Sequence, residues 1–282
     1  MLKHLNIENT FVVIKMFGIE EIEKYVHESG LYESDKTLAE LIDNASKMIE
    51  DFELWLAWFS HDVKDISTSL NDGVTLVEKY RRLTYKDFFN NVKAHAEYLQ
   101  SLCDLLRDMR ASSSRKFKKG ACAIYPVVAG VVSALTFRAI KRGITVRNWI
   151  EEIPERKVAL PHYELFSVFA NLLGNAIKYT RENGKIEIGI EDHDMFYQLN
   201  VWDNGFGIRP EDRERVFERS VRLVDDIPGK GLGLYFVKEI VEHYGREAGL
   251  EGELIWVDSK TEEETGEGSY TNFVFRVPRA YI

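Results

Sequence analysis

Cysteine, excess positive charge and long apolar runs are all scarce in this sequence. Only two cysteines occur among 282 residues, and Cys103 and Cys122 have neither metal-ligand spacing nor the numbers for a disulfide framework. A reducing, cytoplasmic setting is therefore expected. The formal net charge of -9 lacks the basic excess typical of nucleic-acid-binding proteins, so no nucleic-acid partner is expected.

No segment has the pattern of a secretion signal or a membrane span. The N-terminus lacks a basic stretch followed by an apolar one. The most apolar stretch, 121–140, is interrupted by Pro126, Gly130 and Arg138, whereas a membrane helix needs ~20 predominantly apolar residues. We expect a short strand and a buried helix there, and no membrane crossing in this chain.

The N-terminal part of the chain predicts two long helices. Residues 1–36 show no clear pattern, and no function is assigned to them. From Leu38 to about Arg81, and again from Thr84 to Met109, apolar residues recur every three or four positions. Each helix has one apolar stripe, which a single hairpin cannot bury well. The segment 37–112 is therefore predicted to form an antiparallel hairpin that dimerises into a homodimeric four-helix bundle.

The remainder predicts an α+β domain. Residues 112–120 are polar and basic and end in a glycine, as in a flexible linker. In 121–282 the pattern predicts helices at 126–142, 162–181, 211–218 and 232–245, and strands at 145–150, 185–191, 196–203, 253–258 and 271–277. Because the last strands follow one another in pairs, we expect a mixed sheet with helices on one face.

Three segments of this domain carry polar residues in unusual patterns. On the helix 162–181, Asn171, Asn175 and Lys178 share one edge, where an amide oxygen can bind Mg²⁺ and an amine a phosphate; a solvated edge is the alternative. After the strand 196–203, Asp203 is expected on the covered face, where an adenine amino group could be its partner. The alternative there is a simple turn.

The third segment is rich in glycine. Gly229, Gly231 and Gly233 run directly into an apolar helix, an arrangement that favours an anion site at the helix N-terminus. Alone, this pattern is weak evidence. The segment before it contains Arg219 and Arg222, has few apolar residues and is predicted to be a mobile lid over 217–231.

In order and spacing, these segments together resemble the catalytic ATP-binding domain of sensor histidine kinases, which belongs to the Bergerat-type ATPase superfamily. The resemblance covers about 123–282. Asn171 to Tyr179 is similar to the N box, Asp203 to Gly207 to the first glycine box, Phe217 to Arg219 to the F box, and Gly229 to Gly233 to the second glycine box.

The resemblance implies a Bergerat-type α/β sandwich that binds ATP and Mg²⁺. By that resemblance Asn175 ligates Mg²⁺ with support from Asn171, Lys178 and Tyr179 contact phosphates or ribose, and Asp203 accepts a hydrogen bond from the adenine amino group. The other residues implied in nucleotide binding are Gly205, Gly207, Arg219, Arg222, Gly229, Gly231, Leu232 and Gly233.

The first predicted helix contains a histidine in a sequence context that also resembles sensor histidine kinases. His61 lies two residues from the apolar stripe on either side and is expected to face outwards. The run from Ser60 to Lys64 resembles the H box, so His61 is the implied phosphoacceptor and a response regulator aspartate the implied recipient. The adjacent Asp62 is the candidate base that takes the ring proton.

The sequence departs from the family at two positions. Where the family often has Thr or Asn, and then Pro, this chain has Asp65 and Ile66. The carboxylate of Asp65 would repel an aspartyl phosphate, so weak or no phosphatase activity is expected. A nucleotide-binding pseudokinase or scaffold stays open as an alternative function. So does another ATPase of the superfamily: a chaperone, a mismatch-repair protein or an anti-sigma serine kinase.

Overall fold

The computed structural model describes residues 117–223 and 231–280 continuously, and seven helical positions at 67, 70, 71, 74, 92, 93 and 96. These seven positions fall within the two predicted long helices. The hairpin itself, the dimer and residues 1–36 lie outside the described residues.

The described domain contains a five-stranded mixed sheet and three long helices. The strands are β1 (Cys122–Ala123), β2 (Thr145–Asn148), β3 (Lys157–Val158), β4 (Lys185–Asp192), β5 (Phe196–Asp203), β6 (Ile255–Lys260) and β7 (Tyr270–Pro278). The helices are α1 (Ile124–Lys141), α2 (His162–Tyr179), α3 (Gly233–Glu247) and the single turn α4 (Glu262–Thr265).

The sheet order is β2-β4-β5-β7-β6, and β1 pairs with β3 separately. Only β2 and β4 run parallel in the five-stranded sheet; its other neighbours are antiparallel. Along β5 the residues alternate between buried and half-buried, so helices cover one face. The rings of Phe169 in α2 and Phe275 in β7 meet edge to face at 5.3 Å in that core. The prediction of an α+β fold is confirmed.

The predicted long elements agree with the structure to within two residues at each end. The helix predicted at 211–218 is wrong. Two short 3-10 turns, Pro210–Asp212 and Arg215–Phe217, occupy that segment. Asp212 is buried there and pairs with Arg215 at 2.7 Å, which favours a compact turn over a continuous helix. The short β3 and α4 were not predicted.

Helix α1 is long and apolar enough to cross a membrane by length and composition alone. A core helix of a globular domain passes the same test. Val127, Val128 and Phe137 of α1 are fully buried. The sequence-based expectation of a short strand followed by a buried helix is therefore confirmed for this stretch.

The chain enters the domain along α3. The Phe117 ring stacks on the His243 ring with centroids 3.8 Å apart, and Tyr244 Oη donates a hydrogen bond to the Lys118 carbonyl at 2.9 Å. The described end of the predicted linker, 117–120, is thus attached to the domain.

Candidate active site

The end of β5 buries a carboxylate. Asp203 is the last residue of that strand, and only 2% of its surface is exposed. Burial raises the pKa of Asp203 to about 7, against the opposing effects of a hydrogen bond from the Gly205 backbone N–H and of the Thr180 hydroxyl. The Gly205 N–H donates to Asp203 Oδ1 at 2.8 Å. A carboxylate can accept more hydrogen bonds than this, so capacity remains for a donor on a ligand.

Beside Asp203 lies a second buried polar group. Thr180 is fully buried, and its hydroxyl makes no hydrogen bond of normal geometry within the described part of the chain. Thr271, the register partner of Asp203 on β7, is also buried, and its hydroxyl accepts a hydrogen bond from Ser259 Oγ at 3.4 Å. A buried hydroxyl such as that of Thr180 needs a partner. A purine ring with its attached amino group and ring nitrogens is chemistry that fits this cluster.

Backbone contacts fix the loop after β5. A Cβ atom on Gly205 would lie 2.4 Å from Asp203 Oδ1 and 2.5 Å from the Tyr179 carbonyl oxygen. Gly207 has φ +75°, and a Cβ there would lie 2.2 Å from the Lys260 carbonyl oxygen. Both positions therefore require glycine. In the structure their space is taken by protein backbone, which is a different reason from the approach of a flat ring expected from the sequence.

Two serines secure the same loop. Ser269 Oγ donates to the Gly205 carbonyl at 2.5 Å, and the Ile208 N–H donates to Ser259 Oγ at 2.8 Å. Ser259 is buried near the end of β6, and Ser269 is buried directly before β7. Sequence reasoning missed these serines and Thr180. Only the position of Thr180, directly after the N box, could have signalled its role.

Helix α2 brings the N-box residues to this end of the sheet. The Asn171 amide donates to the Ser167 carbonyl at 2.9 Å, and a Cβ on Gly233 would lie 2.4 Å from Asn171 Oδ1. Asn171 therefore sits at the close approach of α2 and α3. The half-buried Asn175 makes no side-chain hydrogen bond to the described residues, so its amide oxygen fits the role of a Mg²⁺ ligand.

A lysine side chain lies at the end of α2. Lys178 Nζ lies 5.1 Å from the centre of the Tyr179 ring. Burial raises the pKa of Tyr179, and the positive charge of Arg222 acts in the opposite direction, so Arg222 lies within electrostatic reach of that ring. Lys178 and Tyr179, the two residues implied in contacting phosphates or ribose, thus lie side by side, and the charge of Arg222 acts on Tyr179.

The second glycine box forms the start of α3. Gly231 has φ +68°, and a Cβ there would lie 2.4 Å from the Val221 carbonyl oxygen. The Ser220 N–H donates to the Gly231 carbonyl at 3.1 Å, which joins the chain on both sides of 224–230. Leu232 is buried, and Gly233 begins the helix. Gly229 lies outside the described residues.

The F box packs into the domain just before residues 224–230. Phe217 is 7% exposed, and its ring meets the Phe273 ring edge to face at 6.0 Å. Arg219 is half-buried and Arg222 is exposed. The predicted phosphotransfer residues His61 and Asp62, and Asp65 with them, lie outside the described residues.

Among the described residues, no three His, Cys, Asp or Glu side chains lie together as a metal-binding group. Any Mg²⁺ here would be held by an amide oxygen and by the phosphates of a nucleotide, a common arrangement for this ion.

A buried carboxylate at a strand end, a glycine-fixed loop beside it and an amide-bearing helix define a nucleotide-binding domain on an α+β scaffold. Residues 162–281 match the family described as histidine kinase-, DNA gyrase B- and HSP90-like ATPases. This part of the chain is therefore a domain of that ATPase family.

Relatives extend the likeness to sensory kinases. Drug sensory protein A of Synechocystis sp. is 27% identical over 61% of this chain and 29% of its own length. The adaptive-response sensory kinase SasA of Thermosynechococcus vestitus is 41% identical over 39% of this chain and 27% of its own. The sensor histidine kinase WalK of Bacillus subtilis is 32% identical over 46% of this chain and 21% of its own length, and the resemblance to sensor histidine kinases is confirmed. The chain spans 29–32% of the length of the first three curated relatives.

A solved structure, that of the mycobacterial sensor histidine kinase MprB, is 24% identical with a TM-score of 0.46; the match covers 58% of this chain and 100% of that one.

Proposed function

We propose that this protein is an ATP-dependent histidine kinase that phosphorylates its own His61 and passes the phosphoryl group to an aspartate of a response regulator. The observation that carries the proposal is the buried Asp203 carboxylate, fixed by Gly205 and close to the N-box helix. The ATPase family match of residues 162–281 and the sensory kinase relatives support it.

The base end of the site selects the nucleotide. Ionised Asp203 accepts a hydrogen bond from the adenine amino group, and the buried hydroxyls of Thr180 and Thr271 line the same place. Because these groups are buried, a hydrogen bond to the carboxylate is strong and specific.

The phosphate end orients the group to be transferred. Asn175 ligates Mg²⁺, which when bound offsets charge on the phosphates. Lys178 and Arg222 add positive charge near Tyr179. The N–H groups at the start of α3, after Gly231 and Leu232, present a positive helix end to an anion.

The acceptor and its base belong to the segment 37–112. Neutral His61 attacks the γ-phosphorus, the bond from that phosphorus to the bridging oxygen of ADP breaks, and Asp62 takes the proton from the imidazole. The apolar stripes of this segment support a homodimer, and the low cysteine content supports a cytoplasmic setting. The net charge of -9 supports the absence of a nucleic-acid partner. No membrane crossing within this chain is part of the proposal.

The test is incubation of the full chain with γ-labelled ATP and Mg²⁺, comparing wild type with His61→Ala and Asn175→Ala. We expect acid-labile, alkali-stable label on the wild type alone. His95→Ala serves as the matched control and should keep the label. Label that persists in His61→Ala would contradict the assignment of the acceptor.

Other outcomes would point to the alternative functions. Nucleotide binding without any label would favour the nucleotide-gated scaffold, for which the departure at Asp65 and Ile66 is the motivating observation. ATP hydrolysis without a phosphoprotein would favour a chaperone or repair ATPase.

A further inference from the structure

Arg142, which lies outside the four family boxes, forms hydrogen bonds to the C-terminal end of α2, the helix that carries the N box. The Arg142 guanidinium donates to the carbonyl oxygens of Ile177, of Lys178 at 3.0 Å and of Thr180 at 2.8 Å. Carbonyls at a helix C-terminus have no partner within the helix, and the helix dipole makes this end negative. A planar cation with five donors suits such a cluster of acceptors better than an ammonium does.

Two of the carbonyls that accept from Arg142 belong to the residues on either side of Tyr179, where α2 reaches the nucleotide site. Lys178 and Thr180 are the neighbours of Tyr179, whose carbonyl oxygen packs against Gly205 so closely that a Cβ there would lie 2.5 Å away. Gly205 in turn donates to Asp203. An unbroken chain of contacts therefore runs from Arg142 to the buried carboxylate.

Arg142 is itself held from the opposite side. The Asn183 N–H donates to the Arg142 carbonyl at 3.0 Å. A Cβ on the adjacent Gly143 would lie 2.3 Å from Asn183 Oδ1. The arginine thus joins the end of α1, the end of α2 and the turn before β4 at one point.

We propose that Arg142 is a positioning residue for nucleotide binding: it holds the last turn of α2 against the first glycine box, so that Thr180 and Asp203 face the base together. The inference rests on the proposed ATP-binding function of this site. If Arg142 were only a helix cap, its loss would lower stability and leave nucleotide affinity unchanged. Measuring both quantities distinguishes the two roles.

The chain offers a matched control for that difference. At the C-terminal end of α3, the Arg246 guanidinium donates to the carbonyls of Leu250 at 3.1 Å and Gly252 at 2.9 Å. It makes the same kind of contact, but not to the N-box helix or the first glycine box.

The experiment measures the Kd for Mg-ATP and the Tm of the full chain for wild type, Arg142→Met, Arg142→Lys and Arg246→Met. We expect Arg142→Met to raise the Kd about tenfold and Arg142→Lys about threefold, because an ammonium satisfies fewer of the three carbonyls. Arg246→Met should lower the Tm and leave the Kd within about twofold of wild type.

The proposal on Arg142 is overturned if its variants lower the Tm as Arg246→Met does and bind Mg-ATP like the wild type. Should Arg142→Met not fold, Arg142→Lys alone decides between these outcomes. Absence of Mg-ATP binding by the wild type would instead overturn the proposed function, and the positioning role with it.

Discussion

The two ends of the nucleotide site are built differently. At the base end, Asp203 and Thr180 are buried, and the loop that follows β5 is clamped to backbone on two sides. At the phosphate end, Asn175 and Lys178 are half-buried and Arg222 is exposed. One end relies on buried, directional hydrogen bonds and the other on charge at the surface.

This difference indicates where selectivity and where binding strength reside. A hydrogen bond to a buried charge is worth more than the same bond in water, and its loss leaves the charge without its ligand partner. Charges at the surface are screened by solvent and salt. Changes at the base end should therefore have the larger effects on nucleotide affinity.

The largest effect is expected from Asp203→Asn. An amide of equal size cannot supply the charge-assisted hydrogen bond to adenine, which is worth about 1.5–3 kcal/mol, so the Kd for Mg-ATP should rise about tenfold to hundredfold at pH 8. Isothermal titration of the full chain measures it.

The same substitution should stabilise the protein without nucleotide. Because burial raises the pKa of Asp203 to about 7, above the unfolded value of ~3.9, the folded state binds this proton more tightly than the unfolded state does. The stabilising contribution is thus full below pH ~4 and is lost as pH rises through about 7. At pH 8 Asp203→Asn should therefore raise the Tm, and a fall in Tm would show that the lost affinity reflects misfolding.

A smaller effect, of a different kind, is expected from Asn175→Ala. Without the amide oxygen Mg²⁺ is held less well, so the Kd measured with Mg²⁺ should rise more than about tenfold towards the value measured in EDTA. Asn200→Ala, on the face of β5 opposite to Asp203, serves as the control. An unchanged ratio of the two Kd values would exclude Asn175 as a ligand.

Affinity should also depend on pH through the base end. Asp203 accepts the charge-assisted hydrogen bond from adenine only when it is ionised, and its pKa is raised to about 7. The Kd for Mg-ATP should therefore rise about fivefold to tenfold between pH 8 and pH 6. Asp203→Asn should show a much flatter profile. Equal slopes in the two proteins would assign the pH dependence to another group.

The smallest effect is expected from Phe206→Ala, inside the first glycine box. Phe206 is 56% exposed, and its ring lies 5.6 Å from the Arg181 guanidinium rather than in the pocket. The Kd should change by less than about twofold. A tenfold loss would mean that the ring folds over the bound nucleotide and that the base end extends further than described.

Much of the domain could be read from the sequence because periodicity reports burial directly. The alternation of β5 placed Asp203 on the covered face, and the apolar repeat of α2 placed Asn171, Asn175 and Lys178 on one edge. The helix predicted at 211–218 failed because the buried Asp212 and its arginine partners favour two tight turns.

Other parts of the site could not be read in this way. Arg142, Ser259 and Ser269 act on residues 35–64 positions away in the chain or across the sheet, and nothing local marks an arginine that caps a distant helix. The glycines were singled out, but their neighbours, the carbonyls of Tyr179 and Lys260, become visible only once the chain is folded.

The most direct test of the account is the ratio of affinities for Mg-ATP and Mg-GTP in wild type and in Asp203→Asn. Guanine carries a carbonyl where adenine carries the amino group, so wild type should bind ATP more tightly by at least about tenfold, and Asp203→Asn should lose most of that preference. Equal affinities of the wild type for Mg-ATP and Mg-GTP, or a preference for ATP that Asp203→Asn retains, would contradict the claim that Asp203 recognises adenine.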